Sequence, residues 1–236
     1  MSWRYELKYL VDAVTQRRLD AYMRSRLLPG EFVDERGAYP VLSVYYDGED
    51  LPLYLDKIAG VERREKVRLR TYGWGFDANA PWFLEAKYKE NASIAKRRLI
   101  VEPGRIDPFD PASWDALGEE AGPFLRVREL LRPVPAVQVW YQREVLVSPA
   151  GDLRVTWDTM VSALWPGERM STALLYDQRR IAFGDGFSIL EVKAAQTIPS
   201  WLVALIASAS ISPEALSKYV QCVNALGLSR KVLTTC

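Results

Sequence analysis

The chain has 236 residues and a mass of 26.9 kDa, and its 49% hydrophobic content builds a buried core, which excludes disordered and fibrous classes. It contains no histidine, which excludes Ser-His-Asp and Cys-His nucleophile pairs, the HExxH zinc helix and imidazole acid–base shuttles. Lysine plus arginine total 31 against 30 aspartate plus glutamate, and the net charge of +1 argues against non-specific coating of nucleic acid or membrane.

The opening MSWRYELKYLVD carries charges within its first eight residues and lacks the apolar run of a signal peptide. Arg4, Glu6 and Lys8 alternate there with Tyr5, Leu7 and Tyr9, the period-2 pattern of a strand. Asp12 is a candidate N-cap for a helix whose apolar residues Val14, Leu19, Tyr22, Met23 and Leu27 run to Pro29-Gly30. PVLSVYYD, Pro40 to Asp47, reads as a short buried strand. ERREKVRLRTYG sets Lys66, Arg68 and Arg70 opposite Val67 and Leu69, and WFLEAKYKEN sets Glu85, Lys87 and Lys89 opposite Leu84, Ala86 and Tyr88. The turn from Gly73 to Pro81 predicts a hairpin between them. SIAKRRLIVEP continues with Lys96 and Arg98 opposite Leu99 and Val101.

Pro108 to Pro135 is rich in proline and acidic residues, with a helical patch from Phe124 to Leu131, and reads as an inserted helical segment. Strands resume at VQVWYQREVLV, at DLRVTWDTMV with Arg154, Thr156 and Asp158 on one face, and at FSILEVKAA with Glu191 and Lys193. Helices are expected from Pro199 to Ala209 and again from Pro213, the second carrying Ser217, Lys218 and Tyr219. The longest apolar stretch, Trp201 to Ile211, is about half of the roughly 20 residues a membrane-spanning helix needs. Cys222 and Cys236 are too few and too far apart for a disulfide framework or a zinc site, which suits a reducing cytosol. With no repeat or boundary in view, one domain spanning 1–236 is expected.

Roughly seven strands therefore carry charge on one face and apolar side chains on the other. One reading is an antiparallel sheet with a solvated outer face, where such charges are ordinary. The other is a barrel with a charged interior and helices packed outside. Successive same-face residues lie about 6.6 Å apart, so Lys66, Arg68 and Arg70 form a like-charge column that suits a bound anion. Arginine's planar fork also matches phosphate oxygens. The carboxylates at the same parity, Glu6, Glu85, Asp158 and Glu191, are salt-bridge partners on the first reading and oxygen ligands for a divalent ion on the second. Neither GxxxxGK[ST] nor GxGxxG occurs, so phosphate would be held by side chains.

RYELKYLV, YYD, KVRLRTYG, FLEAKYKE with AKRR, YQRE, LRVTWDT, ILEVK and SKY resemble, in this order, the catalytic domain of the vacuolar transporter chaperone polyphosphate polymerases. The resemblance spans Arg4 to Tyr219 and places the chain among the triphosphate tunnel metalloenzymes. It implies an α+β fold, an eight-stranded antiparallel β-barrel tunnel with a basic interior and helices outside. It implies catalytic roles for Lys8, Arg68, Arg70, Lys87, Lys96, Arg143, Arg154 and Lys218 and places Ser217 on the substrate, to which the charged strand parity adds Lys66, Arg98 and Lys193 as further substrate contacts. Glu191 is the expected metal ligand, with Glu6 and Glu85 beside it, for manganese or magnesium. Ser217 and Lys218 match the pair that closes one tunnel end in the family.

The implied activity is transfer of the ATP γ-phosphate to a growing polyphosphate chain, with pyrophosphate or orthophosphate as further ligands, no nucleic acid and no membrane insertion. The first strand reads ExK where the hydrolase branches carry ExExK, which favours the polymerase branch. The alternatives are a tripolyphosphate or nucleoside triphosphate hydrolase and a non-catalytic polyphosphate-binding module. Eukaryotic relatives carry a phosphate-sensing N-terminal domain and a membrane region; neither is seen here, so a regulatory or membrane partner is expected on a separate chain. The aromatics Tyr72, Trp74 and Trp82 are candidates for stacking on a base, or for packing beside the hairpin turn.

Overall fold

The computed structural model describes residues 3–31, 37–73, 79–90, 93–168 and 180–229. Trp74 and Cys236 lie outside them. The fold is α+β, built on a 10-stranded sheet whose main path runs β1-β10-β8-β7-β3-β4-β5-β6, with β2 beside β7 and β9 beside β8. The strands are β1 (Tyr5–Asp12), β2 (Leu28–Pro29), β3 (Ala38–Asp47), β4 (Arg64–Tyr72), β5 (Trp82–Glu90), β6 (Ser93–Val101), β7 (Val134–Val147), β8 (Leu153–Leu164), β9 (Arg180–Ile181) and β10 (Phe187–Ala194). Among the described residues the path ends at β1 and at β6, so the antiparallel sheet is present and the expected closure into a barrel is not among its pairings. No helix among the described residues is long and apolar enough to cross a membrane.

The chain forms two compact units, each drawn from three stretches of sequence. The first comprises Met1–Pro40, Tyr141–Val161 and Phe183–Ser217; the second comprises Val41–Trp140, Ser162–Ala182 and Lys218–Cys236. In the first unit, α1 (Ala13–Arg24) starts where the sequence predicts, because the Asp12 carboxylate accepts hydrogen bonds from the Val14 and Thr15 amides. Leu19 and Met23 of α1, with Leu202 and Ile206 of α4 (Ser200–Ser208), pack on Tyr9, Val11, Val155, Trp157, Leu190 and Val192. That packing consumes the apolar parity of β1, β8 and β10, leaving the charged parity on the opposite face.

The same division occurs in the second unit. Trp114 and Leu117 of a 3-10 segment (Pro111–Ala121), with Phe124 and Val127 of α3 (Gly122–Leu131), bury Val44, Tyr46, Val67, Leu69, Leu84, Ala86 and Val101. The inserted Pro-rich segment is thus the cover of this sheet.

Two local expectations are revised. A helix from Pro213 is not formed: the chain is irregular through Ser217, with the Glu214 amide donating to the Lys8 carbonyl, and turns helical only at α5 (Lys218–Ala225). Between β3 and β4 lies an unforeseen helix, α2 (Pro52–Ile58), nucleated by Pro52 in its first turn and by Asp47, whose carboxylate accepts from the Gly48, Leu53 and Tyr54 amides.

Candidate phosphate-binding faces

The register of the second unit lines up its charged parity in rows across neighbouring strands. Lys66 of β4 faces Lys87 of β5, and Lys87 faces Lys96 of β6. Directly opposed side chains have Cβ atoms about 5 Å apart, and like charges placed so are unfavourable by themselves. The next row reads Tyr45, Arg68, Glu85 and Arg98, and the one after it Ser43, Arg70, Phe83 and Ile100.

Hydrogen bonds fix this surface. Arg68 Nε donates to Glu85 Oε2 at 2.6 Å and its Nη1 to the Tyr45 hydroxyl at 2.9 Å, while Arg98 Nε donates to Glu85 Oε1 at 2.8 Å. Arg70, buried, donates from Nε to Ser43 Oγ at 3.1 Å. The positive potential registers on neighbouring acids. Burial alone would raise the Glu85 pKa, but Arg68, Arg70 and Arg98 outweigh it and hold it at about 2. Tyr45 is likewise pushed up by burial and pulled down further by Arg68, Arg70 and Lys66, to about 8.

Both oxygens of Glu85 are therefore engaged by guanidinium groups. The residue expected beside the metal is here a charge partner that orients two arginines.

The helix α5 attaches to this unit through Tyr219, whose ring stacks on Tyr45 with centroids 5.2 Å apart and whose hydroxyl donates to Asp47. Tyr54 also donates to Asn224 Oδ1 at 2.7 Å. Burial raises the Asp47 pKa despite its four donors, and raises that of Tyr219 as well, with Asp47 adding to it. Lys218 stands at the first position of α5, where the helix dipole also places positive charge. Ser217, the other half of the expected pair, is buried and belongs to the first unit.

The first unit arranges its charges differently. Glu6 of β1 faces Lys193 of β10, Lys193 faces Arg154 of β8, Lys8 faces Glu191, and Glu191 faces Thr156. Opposite charges meet at two of these four positions, Lys193 and Arg154 meet as like charges, and Glu191 meets a hydroxyl. Lys8 Nζ lies 3.1 Å from Glu6 Oε1, and Lys193 Nζ lies 3.0 Å from Glu191 Oε1 and 4.0 Å from Glu6 Oε2. Arg143 donates from Nε and Nη2 to the two oxygens of Asp158 at 2.6 and 2.7 Å, and its Nη2 lies 3.7 Å from Glu191 Oε2. Asp158 is fully buried and the Arg143 side chain is 11% exposed, so this pair is a desolvated, bidentate lock.

Two buried polar atoms on this face, Arg154 Nε and Thr156 Oγ1, have no hydrogen-bond partner. Such orphans cost about 1–3 kcal/mol each and call for a ligand or a water.

These residues also bear on a divalent ion. Among the described residues no three His, Cys, Asp or Glu side chains group to hold a metal. Magnesium and manganese, however, are commonly held by one or two carboxylates with phosphate oxygens completing the shell. Glu6 and Glu191 supply such hard oxygen donors on adjacent strands, the Lys193 ammonium already sits against both, and the orphan Thr156 hydroxyl faces Glu191. The chemistry of the set fits the ion.

Every residue expected at the site is thus on a charged sheet face except Ser217 and Lys218. Sequence reading passed over Tyr45, Ser43 and Phe83, which share those rows, and left Asp158 and Thr156 without a specific partner. Of the aromatics considered for base stacking, Trp82 packs against the apolar core of its unit, and Tyr72 sits edge-on to Phe83.

No curated protein matches the chain in sequence. Among solved structures, a conserved hypothetical protein from Pyrococcus furiosus is similar over 91% of this chain and 98% of its own, at 12% identity and a TM-score of 0.42. Residues 3–227 match the family described as the VTC domain, nearly the whole chain and every motif from RYELK to SKY. The chain belongs to the VTC domain family.

Proposed function

We propose that the protein is an ATP-dependent polyphosphate polymerase, transferring the γ-phosphate of ATP to a growing polyphosphate chain in a reducing cytosol. The observation that carries this reading is the lysine row Lys66, Lys87 and Lys96, set beside Arg68 and Arg98. A polyanion relieves the repulsion that such a row creates, and a repeating phosphate chain matches charges spaced at strand intervals. Membership in a family tied to polyphosphate metabolism supports the same substrate class.

In this reading Arg68 binds phosphate oxygens with its outer N–H groups, Arg98 contacts the substrate beside it, and Glu85 keeps both forks in plane. Arg70, Lys66, Lys87 and Lys96 offset the chain's charge, and Lys218 adds a cation at the start of α5. In the first unit Lys8, Arg154 and Lys193 bind phosphate, and Arg143 is held by Asp158 as a fixed positive charge. Glu191 and Glu6, with Thr156, would hold manganese or magnesium. The bound ion would neutralise charge on phosphate oxygens and orient them. Phosphoryl transfer through a loose transition state needs positioning and charge stabilisation, which lysine and arginine supply without histidine. The acceptor, a terminal phosphate oxygen, is already anionic and requires no general base.

That last point separates the polymerase from a hydrolase, which must orient or deprotonate water. Glu85, held at about pKa 2 by its arginines, is a weak base for that task. Incubating the protein with ATP and manganese and resolving the products tests the reading. Chains of increasing length are expected; orthophosphate alone would make the protein a hydrolase, and binding without turnover would make it a polyphosphate-binding module.

A further inference from the structure

The row next to the arginines changes character. Phe83 faces Ile100, an isoleucine that is 58% exposed on the face that otherwise bears cations. The guanidinium carbon of Arg98 lies over the Phe83 ring, 4.7 Å from its centroid, and Tyr72 meets the same ring edge-on at 5.4 Å. The Arg98 plane is held at two points. Nε donates to Glu85 Oε1 at 2.8 Å and Nη2 to the Tyr72 hydroxyl at 3.0 Å, while 48% of the side chain remains exposed.

A single exposed isoleucine is ordinary on a protein surface. Its place here is not, because it flanks a flat cation that is already ordered. Stacking a ring on a free arginine must first immobilise a long side chain, and here the hydrogen bonds to Glu85 and Tyr72 have done so.

We propose that Arg98, stacked on Phe83 and flanked by Ile100, is the platform for the base of a nucleoside triphosphate. The inference rests on the reading that the lysine row binds phosphate, and it adds which end of the nucleotide lies where. The base stacks on the outer face of the Arg98 guanidinium with Ile100 against its edge, and the phosphates extend along β5 and β6 toward Lys87 and Lys96. Phe83 and Lys87 are four residues apart on one strand, about 13 Å, a span comparable to that from base to γ-phosphate in an extended nucleotide. Stacking on a guanidinium is tolerant of base identity, so ATP and GTP bind alike, and both bind more tightly than their phosphates alone account for.

Calorimetric titration of the full chain with ATP and with inorganic tripolyphosphate tests this. The two variants are Phe83→Leu, which keeps an apolar side chain under Arg98, and Ile100→Ser, an exposed change with little hold on the fold. Phe83→Leu is expected to weaken ATP binding about tenfold, the scale of one base-stacking contact, and Ile100→Ser about threefold, with tripolyphosphate affinity within about twofold of the parent in both. Equal losses for the two ligands, or unchanged ATP binding in both variants, would overturn the platform. A parent protein that binds neither ligand would overturn the phosphate reading beneath it.

Discussion

Both units set a charged sheet face against an apolar one, yet they distribute the charge in opposite ways. In the first unit Glu6 faces Lys193 and Lys8 faces Glu191, and Arg143 is locked by Asp158. In the second, Lys87 faces Lys66 on one side and Lys96 on the other, and Glu85 is the carboxylate shared by two arginines. Cross-strand pairs of opposite sign stabilise a sheet by a few tenths of a kcal/mol to about 1 kcal/mol, and like-sign pairs oppose it by a similar amount. The first face therefore sets carboxylates among its cations, whereas the second places three lysines in one row beside two arginines that share one carboxylate.

Removing Arg143 should consequently cost stability, whereas neutralising the lysine row should cost polyanion binding. Arg143→Ala removes the bidentate partner of the fully buried Asp158 and should destabilise the protein by about 3–5 kcal/mol in denaturant titration. A loss under about 1 kcal/mol would show that the lock is solvated and the contrast overdrawn.

The second expected effect concerns acid. Glu85 has a folded pKa of about 2 against an ordinary 4.5, so its contribution is fully present above about pH 4.5 and disappears as pH falls toward 2. The shift corresponds to roughly 3 kcal/mol, and Glu85→Gln should remove that part of the slope of stability between pH 5 and 2. A variant that keeps the parent's slope would mean that Glu85 does not hold the arginines.

Thr156→Val is the smallest change and the sharpest in sign. It replaces an orphaned buried hydroxyl with a methyl group, so stability should stay level or rise by about 1 kcal/mol while manganese or phosphate binding weakens. A fall in stability would show that the hydroxyl has a partner in solution.

How much of this was legible in the sequence follows from how strands expose their pattern. β1, β4, β5, β8 and β10 alternate charge with apolar residues, and that period placed Lys8, Lys66, Arg68, Glu85, Arg154 and Glu191 on the correct faces. β3 has no such alternation, because its residues from Pro40 to Asp47 are all buried. Tyr45, which receives the Arg68 hydrogen bond, was for that reason read as core. Register was likewise out of reach. Parity places Lys66, Lys87 and Lys96 on some face of some strand, but only the pairing of β4, β5 and β6 sets them side by side and puts Phe83 against Ile100. The segment from Pro213, expected to be helical, instead makes a non-local contact from the Glu214 amide to the Lys8 carbonyl that no local pattern reveals.

The claim that the second unit's cation rows exist to bind a phosphate chain is tested most directly by one titration. Tripolyphosphate affinity is measured for the parent and for the triple variant Lys66→Gln, Lys87→Gln, Lys96→Gln, with thermal unfolding recorded on the same samples. The account predicts an affinity loss of at least about a hundredfold, from three charge contacts each worth around 1 kcal/mol, with a melting temperature at or above the parent's. Unchanged affinity with a lowered melting temperature would contradict it, because the lysine row would then serve the fold and not a ligand.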